Sequence, residues 1–134
     1  MAAPKMAVDI ADYLLGAPLS LTSVFIDGFT QSPVAQYSVQ EYSGPPPVRV
    51  HGGTSPNIAL DEGMIQIAVR NATKQTARTN MMAVVDQLDG LKDTTINSVV
   101  YTYIQSASRP RFHSTNEDGS VEFIWEIRVQ SRRG

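Results

Sequence analysis

Asp61-Glu62-Gly63-Met64-Ile65-Gln66-Ile67-Ala68-Val69-Arg70-Asn71 is the stretch whose reading decides the fold. Ile65, Ile67 and Val69 alternate with Met64, Gln66 and Ala68, the period of two of a strand, since successive side chains of an extended chain point to opposite faces. Past the polar break at Arg70 and Asn71 the period changes. Ala77, Met81, Val84, Val85 and Leu88 follow at i, i+4, i+7, i+8 and i+11, one stripe of an amphipathic helix. Asn71 or Thr73 can cap its start with a side-chain oxygen, and Gly90 stands where a left-handed residue stops a helix. A strand running straight into its own covering helix is a core-building unit. The flanking segments read as its partners.

On the N-terminal side, Met6 to Leu15 reads as a short helix with Met6, Ile10, Tyr13 and Leu14 on one side and Asp9 and Asp12 opposite. Gly16-Ala17-Pro18 ends it, because proline cannot continue the hydrogen-bond ladder. Leu21 to Phe29 reads as a strand closing on a turn at Asp27-Gly28. Pro33 interrupts, and Ala35 to Tyr42 resumes an extended pattern with Tyr37 and Val39 on one face. Ser43 to Gly63 is the least regular part: Gly44-Pro45-Pro46-Pro47 favours a stiff extended path, and Gly52 to Asn57 is turn chemistry throughout. Irregular segments of this length in a compact domain are usually functional or disordered.

On the C-terminal side, Thr95 to Ser106 is rich in Val, Tyr, Thr and Ile and reads as one strand. A connector with Pro110 and a turn at Asn116-Glu117-Asp118-Gly119 lead into the cleanest alternation of the chain. Val121, Phe123, Trp125, Ile127 and Val129 point inward, Glu122, Glu126, Arg128 and Gln130 outward. Ile124 breaks the polar face and predicts partial cover there too. Two late strands joined by a glycine turn suggest an antiparallel hairpin. The predicted fold is a single α+β domain over residues 1–134, a mixed or antiparallel sheet packed against one long and one short helix. Its predicted core is Ile65, Ile67, Val69, Met81, Val85, Leu88, Phe123, Trp125 and Ile127.

At 134 residues the chain can bury a sizeable core without staples, and it has no cysteine. That removes disulfides, thiolate zinc sites and cysteine nucleophiles together. With 11 Lys+Arg against 13 Asp+Glu, the net charge of −2 gives no general pull toward nucleic acid or anionic membrane. No run reaches the ~20 apolar residues of a membrane span. Asp9 and Asp12 interrupt the one N-terminal apolar stretch, so a soluble, non-exported product is expected.

Signatures of chemistry are thin. His51-Gly52-Gly53 resembles an oxyanion segment, but no Gly-x-Ser-x-Gly elbow accompanies it. A pocket of converging polar groups around His51 would be needed for a hydrolase. His113 has no second histidine at ligand spacing. Asp61-Glu62 and Glu117-Asp118 stand beside glycines and read as solvated turn acids rather than an acid–base pair. The glycines near Gly52 lack the Lys-Ser/Thr of a phosphate loop. Arginines gather as Arg109 with Arg111 and as Arg132-Arg133, with Tyr101, Tyr103 and Phe112 near the first pair. A nucleic-acid surface needs a larger basic patch. No catalytic residue, cofactor or metal ligand is expected.

The order of segments carries more. Ala59 to Asn71, a short helix ending Tyr13-Leu14-Leu15, Glu41-Tyr42-Ser43-Gly44-Pro45-Pro46, Ile96-Asn97-Ser98 leading a strand, and Arg109-Pro110 before an acidic glycine turn and an aromatic strand follow one another. In that order they resemble the small tail terminator, or tail-completion, proteins of long-tailed bacteriophages, which also carry the label minor capsid protein. The resemblance implies a structural virion protein. Such proteins form a ring, usually of six, that caps the tail tube, stops its polymerisation and meets the head connector or closure protein, while DNA passes through without specific binding. It also implies assembly in the host cytoplasm and a final place at the head–tail junction. Head-closure and tail-tube proteins of the same virion remain alternatives, as does a small non-catalytic cellular binding module using the 43–63 segment. That segment is the expected assembly loop, and the candidate assembly residues are Val48, Arg49, His51, Ser55 and Asn57 on it, with Arg109 and Arg111.

Overall fold

The structure, a computed structural model, describes residues 5–16, 21–26, 28–29, 34–42, 48–49 and 58–132. In chain order the elements are α1 (Lys5–Leu15), β1 (Val24–Ile26), β2 (Gln36–Tyr42), β3 (Val48–Arg49), β4 (Ile58–Asn71), α2 (Lys74–Leu88), β5 (Leu91–Ile96), β6 (Val99–Ser106), β7 (Arg111–Thr115) and β8 (Val121–Arg132). The strands make one eight-stranded sheet in the order β1-β2-β4-β8-β6-β5, with β3 also beside β4 and β7 also beside β8. Only β1 and β2 run parallel, so the sheet is mixed.

Two long strands set the frame. β4 and β8 pair in unbroken register from Leu60↔Arg132 to Asn71↔Val121. Each is longer than any neighbour on its outer side. β2 and β3 therefore share the outer edge of β4, and β6 and β7 share that of β8. Because register fixes facing, Ile65↔Ile127, Ile67↔Trp125 and Val69↔Phe123 all turn to one face, and all six are buried there. Both helices cover this face. α2 contributes Ala77, Met81, Val84 and Leu88, and α1 contributes Ala7, Ile10, Ala11 and Leu14, to a single cluster. Fully burying one such large side chain is worth about 1.5–3 kcal/mol against leaving it exposed, which makes this face the main source of stability. Val85, expected in the core, is only partly buried at its margin.

Local chemistry explains the helix limits. Thr73 is the N-cap of α2, its hydroxyl accepting from the Thr76 amide at 3.2 Å. Asn71, the other candidate, spends its carbonyl on the next amide instead. Gly90 has φ +87°, a backbone that turns the chain at once into β5. In β4 a Cβ placed on Gly63 would stand 2.7 Å from Met6 Sδ, so the missing side chain lets α1 lie close to the sheet.

Four expectations change. Asp9, placed on the outer side of the first helix, is buried: Tyr101 Oη donates to its Oδ2, and Asn97 Nδ2 donates to its Oδ1 at 2.9 Å and to Asp12 Oδ2 at 2.8 Å. A buried carboxylate is stable only with such donors. The single strand expected over Thr95 to Ser106 is instead the hairpin β5–β6, turned at Asn97-Ser98 with φ 50° and 67°. Two positive φ values make the primed turn that matches strand twist, and Asn97 is further held by the two α1 carboxylates. The strand expected over Leu21 to Phe29 shrinks to Val24–Ile26. The irregular stretch expected over 43–63 is also shorter. Val48–Arg49 pairs with β4, and Ile58 to Gly63 belong to β4 because β8 supplies a ladder as far as Leu60. Residues 43–47 and 50–57 lie outside the described residues.

Candidate assembly surface

Among the described residues, no helix lies on the sheet's second face. Its lower half shows Glu62, Met64, Gln66, Glu126, Arg128 and Gln130, all half-buried or exposed. Hydrogen bonds tie them into a fixed polar pattern. Glu62 Oε1 accepts from Tyr103 Oη at 2.7 Å and from Gln130 Nε2 at 2.9 Å, while the Thr102 hydroxyl donates to Gln130 Oε1 at 2.7 Å. Burial, and then the neighbouring Glu62 carboxylate, push the Tyr103 phenol up to about 12, so at neutral pH it remains a donor. Asp61-Glu62 is thus part of a strand and not a turn, because the β8 ladder extends past it. Glu117-Asp118 does lie at a turn. Asp118 Oδ1 accepts from the amide and hydroxyl of Ser120 at 2.9 and 2.6 Å, and these bonds hold its carboxyl below the usual range.

The upper half is partly roofed by residues between β1 and β2. The Arg70 guanidinium lies 5.0 Å from the Phe29 ring centre and its Nε donates to Val34 O at 2.9 Å. Gly28 N donates to Ser38 Oγ at 2.8 Å. This roof leaves Ser38, Ala68 and Ile124 buried on the second face, the partial cover that Ile124 predicted. Phe29, Ser38, Gln40, Gln66, His113, Glu122 and Ile124 line an open hollow of about 170 Å³. That is below the ~300 Å³ at which small-molecule sites begin. No group of three or more His, Cys, Asp or Glu could hold a metal among the described residues.

The candidate residues among the described ones do not gather in one patch. Val48 and Arg49 lie beside Leu60 and Ile58 at the start of β4, where β8 ends. Arg111 pairs with Ile124 near the start of β8, on its other side. Eight residues of β8 separate these levels, roughly 27 Å at ~3.4 Å per residue. They occupy opposite corners of the sheet. Arg111 is also engaged within the chain, its Nη2 lying 2.8 Å from Glu126 Oε1 with the side chain half exposed, an ion pair worth at most about 1 kcal/mol. Arg109 is exposed. His51, Ser55 and Asn57 lie outside the described residues. Of the aromatics near the arginines, Tyr101 is core, and Phe112 is 44% exposed with Lys74 Nζ 4.8 Å from its ring centre. The sequence reading passed over Lys74 and Arg78. Their only signal was the i+4 spacing on the helix's outer side.

The family model of the bacteriophage tail terminator protein matches residues 47–131. Among solved structures, a chain of the "Virion of native gene transfer agent (GTA) particle" aligns with TM-score 0.63 at 18% identity, covering 99% of this chain and 100% of that one. A second solved chain aligns with TM-score 0.57 at 9% identity, covering 97% of this chain and 94% of that one. At these identities the likeness is one of fold. No curated protein sequence matches this chain. No helix among the described residues is long and apolar enough to cross a membrane.

Proposed function

The chain belongs to the bacteriophage tail terminator protein family, and from that premise we propose that it forms a closed ring capping the tail tube. The ring stops tube polymerisation and turns its other face to the head connector or closure protein. The observation that carries this reading is the reach of the family match, residues 47–131, which takes in both framing strands, α2 and both late hairpins. A tube of stacked rings offers the same face after each addition, so growth continues until something unlike covers that face. A cyclic head-to-tail ring has two unlike faces and no free lateral contact. Such a contact joins different patches of neighbouring copies. In this reading Val48 and Arg49, paired beside the start of β4, meet Arg109 and Arg111 of the next copy, and His51, Ser55 and Asn57 of the proposed 43–63 assembly loop take part in the same contact. DNA passes through without specific binding, in keeping with a net charge of −2. The role needs no catalysis and no cofactor. The finished protein sits at the head–tail junction after assembly in the host cytoplasm.

Particles made without this chain are expected to have normal heads and unjoined tails of uncontrolled length, and purified protein should arrest growing tubes. Tails of normal length already joined to heads would sink the reading. Tails of normal length that stay unjoined would assign the chain to head closure instead.

A further inference from the structure

The outer side of α2 carries its charges in the order that an isolated helix disfavours. Lys74, Arg78, Met82 and Asp86 recur every four residues and so form one stripe. All four are exposed, Met82 at 45%. Unsatisfied amides make a helix N-terminus positive, which favours acids there and bases at the far end. In α2 the first turn has no acid and the last turn no base, while Lys74 opens the helix and Asp86 stands in its last turn. The two cations are also held in place. Lys74 Nζ lies 4.8 Å from the Phe112 ring centre and the Arg78 guanidinium 5.8 Å from that of Phe123. Phe112, 44% exposed, adds an apolar shoulder beside them. Among the described residues, Lys74, Arg78 and Asp86 take part in no ion pair. The two rings account for where the cations lie, but among the described residues no ion pair offsets the charge order along the helix.

We propose that the stripe is a lateral contact between copies of this chain, the Lys74–Arg78–Phe112 end of one copy docking on the Asp86 end of the next. This rests on the ring reading above. The two ends are complementary in charge and unlike in shape, as a head-to-tail contact requires, and every copy in a closed ring uses both. Met82 lies between them and is covered as they meet. The reversed charge order weakens the lone subunit and favours the assembled one.

Charge exchange tests the contact. One variant carries Lys74→Glu with Arg78→Glu. The other carries Asp86→Lys. Ring formation is read by sedimentation and electron microscopy, with and without tail tubes, and folding by Tm. Each variant alone is expected to lose the ring with Tm unchanged or raised, since a reversed α2 suits the helix dipole better. An equal mixture is expected to recover rings in which the two variants alternate by native mass spectrometry. Should a reversal fail to fold, Lys74→Gln with Arg78→Gln is expected to weaken association by more than about tenfold. Rings formed by each variant alone, a mixture that recovers none, or unweakened association of the neutral pair overturns the contact while the ring reading stands. An unaltered chain that forms no ring, alone or on tubes, overturns the ring reading and the contact with it.

Discussion

On the helix-covered face of the sheet, Ile65, Ile67, Val69, Phe123, Trp125, Ile127 and Val129 are all buried, whereas their strand neighbours Glu62, Met64, Gln66, Glu126 and Arg128 stay at least partly open on the other face. The same two strands supply both sets, one residue out of phase. The covered face draws its stability from apolar area, which is non-directional and large. The bare face is held by the Tyr103–Glu62–Gln130–Thr102 bonds and the Arg111–Glu126 pair. Each such bond nets only about 0.5–1.5 kcal/mol after exchange with water. One face decides whether the chain folds. The other adds directional polar bonds of smaller net worth.

The sharpest break of that comparison is Trp125→Ala. Trp125 is fully buried, and its indole N–H donates to Ser106 Oγ at 3.1 Å. Loss of transfer energy plus the cavity is expected to cost about 3–5 kcal/mol, read from the denaturation midpoint. A midpoint that scarcely moves would mean the covered face does not carry the stability.

A smaller effect on the same face comes from Gly63. A Cβ there meets Met6 Sδ at 2.7 Å. Gly63→Val is expected to cost about 1–3 kcal/mol by overpacking under α1, and Gly63→Ala less, because the methionine thioether can swing aside. Equal losses in urea unfolding would show that α1 does not depend on this close approach.

Alkaline pH probes one tyrosine on each face, Tyr101 bonded to Asp9 on the covered side and Tyr103 bonded to Glu62 on the other. The ordinary phenol value is 10.0, while folded Tyr103 ionises at about 12 and burial with Asp9 raises Tyr101 as well. Between the unfolded and folded values the unfolded chain has lost a proton that the folded chain keeps. Stability from these groups is therefore complete below about pH 10 and is lost as pH rises through the folded values. Tyr103→Phe should flatten the fall between pH 10 and 12, and an unchanged slope in that variant would remove Tyr103 from the account. The smallest effect belongs to the bare face: Glu126→Gln is expected to change stability by less than about 1 kcal/mol. A larger loss in the same urea assay would show that this face also carries folding energy.

Much of this architecture is legible in the chain because burial imposes a period. Ile65, Ile67 and Val69 announce a strand, Phe123, Trp125 and Ile127 another, and Ala77, Met81, Val84 and Leu88 the helix that covers both. Polar positions were harder to place. Asp9 lies buried because Tyr101 and Asn97, about ninety residues away in sequence, bring donors to it. The break at Asn97-Ser98 has no glycine to mark it, and asparagine entered the left-handed region with support from two carboxylates of α1. The candidate assembly residues were chosen by composition. Composition has no term for distance, and Val48 and Arg111 lie at opposite corners.

What the sequence determined by itself is therefore the layer structure: which residues face inward, where the long strands and the helices lie, and that no cysteine chemistry is available. Tertiary structure alone decided strand order, the parallel pairing of β1 with β2, the burial of Asp9 and the separation of the two candidate corners. The physical reason is range. Periodicity and capping are local and act within a few residues, whereas pairing, polar rescue and surface geometry depend on which distant segments the fold brings together.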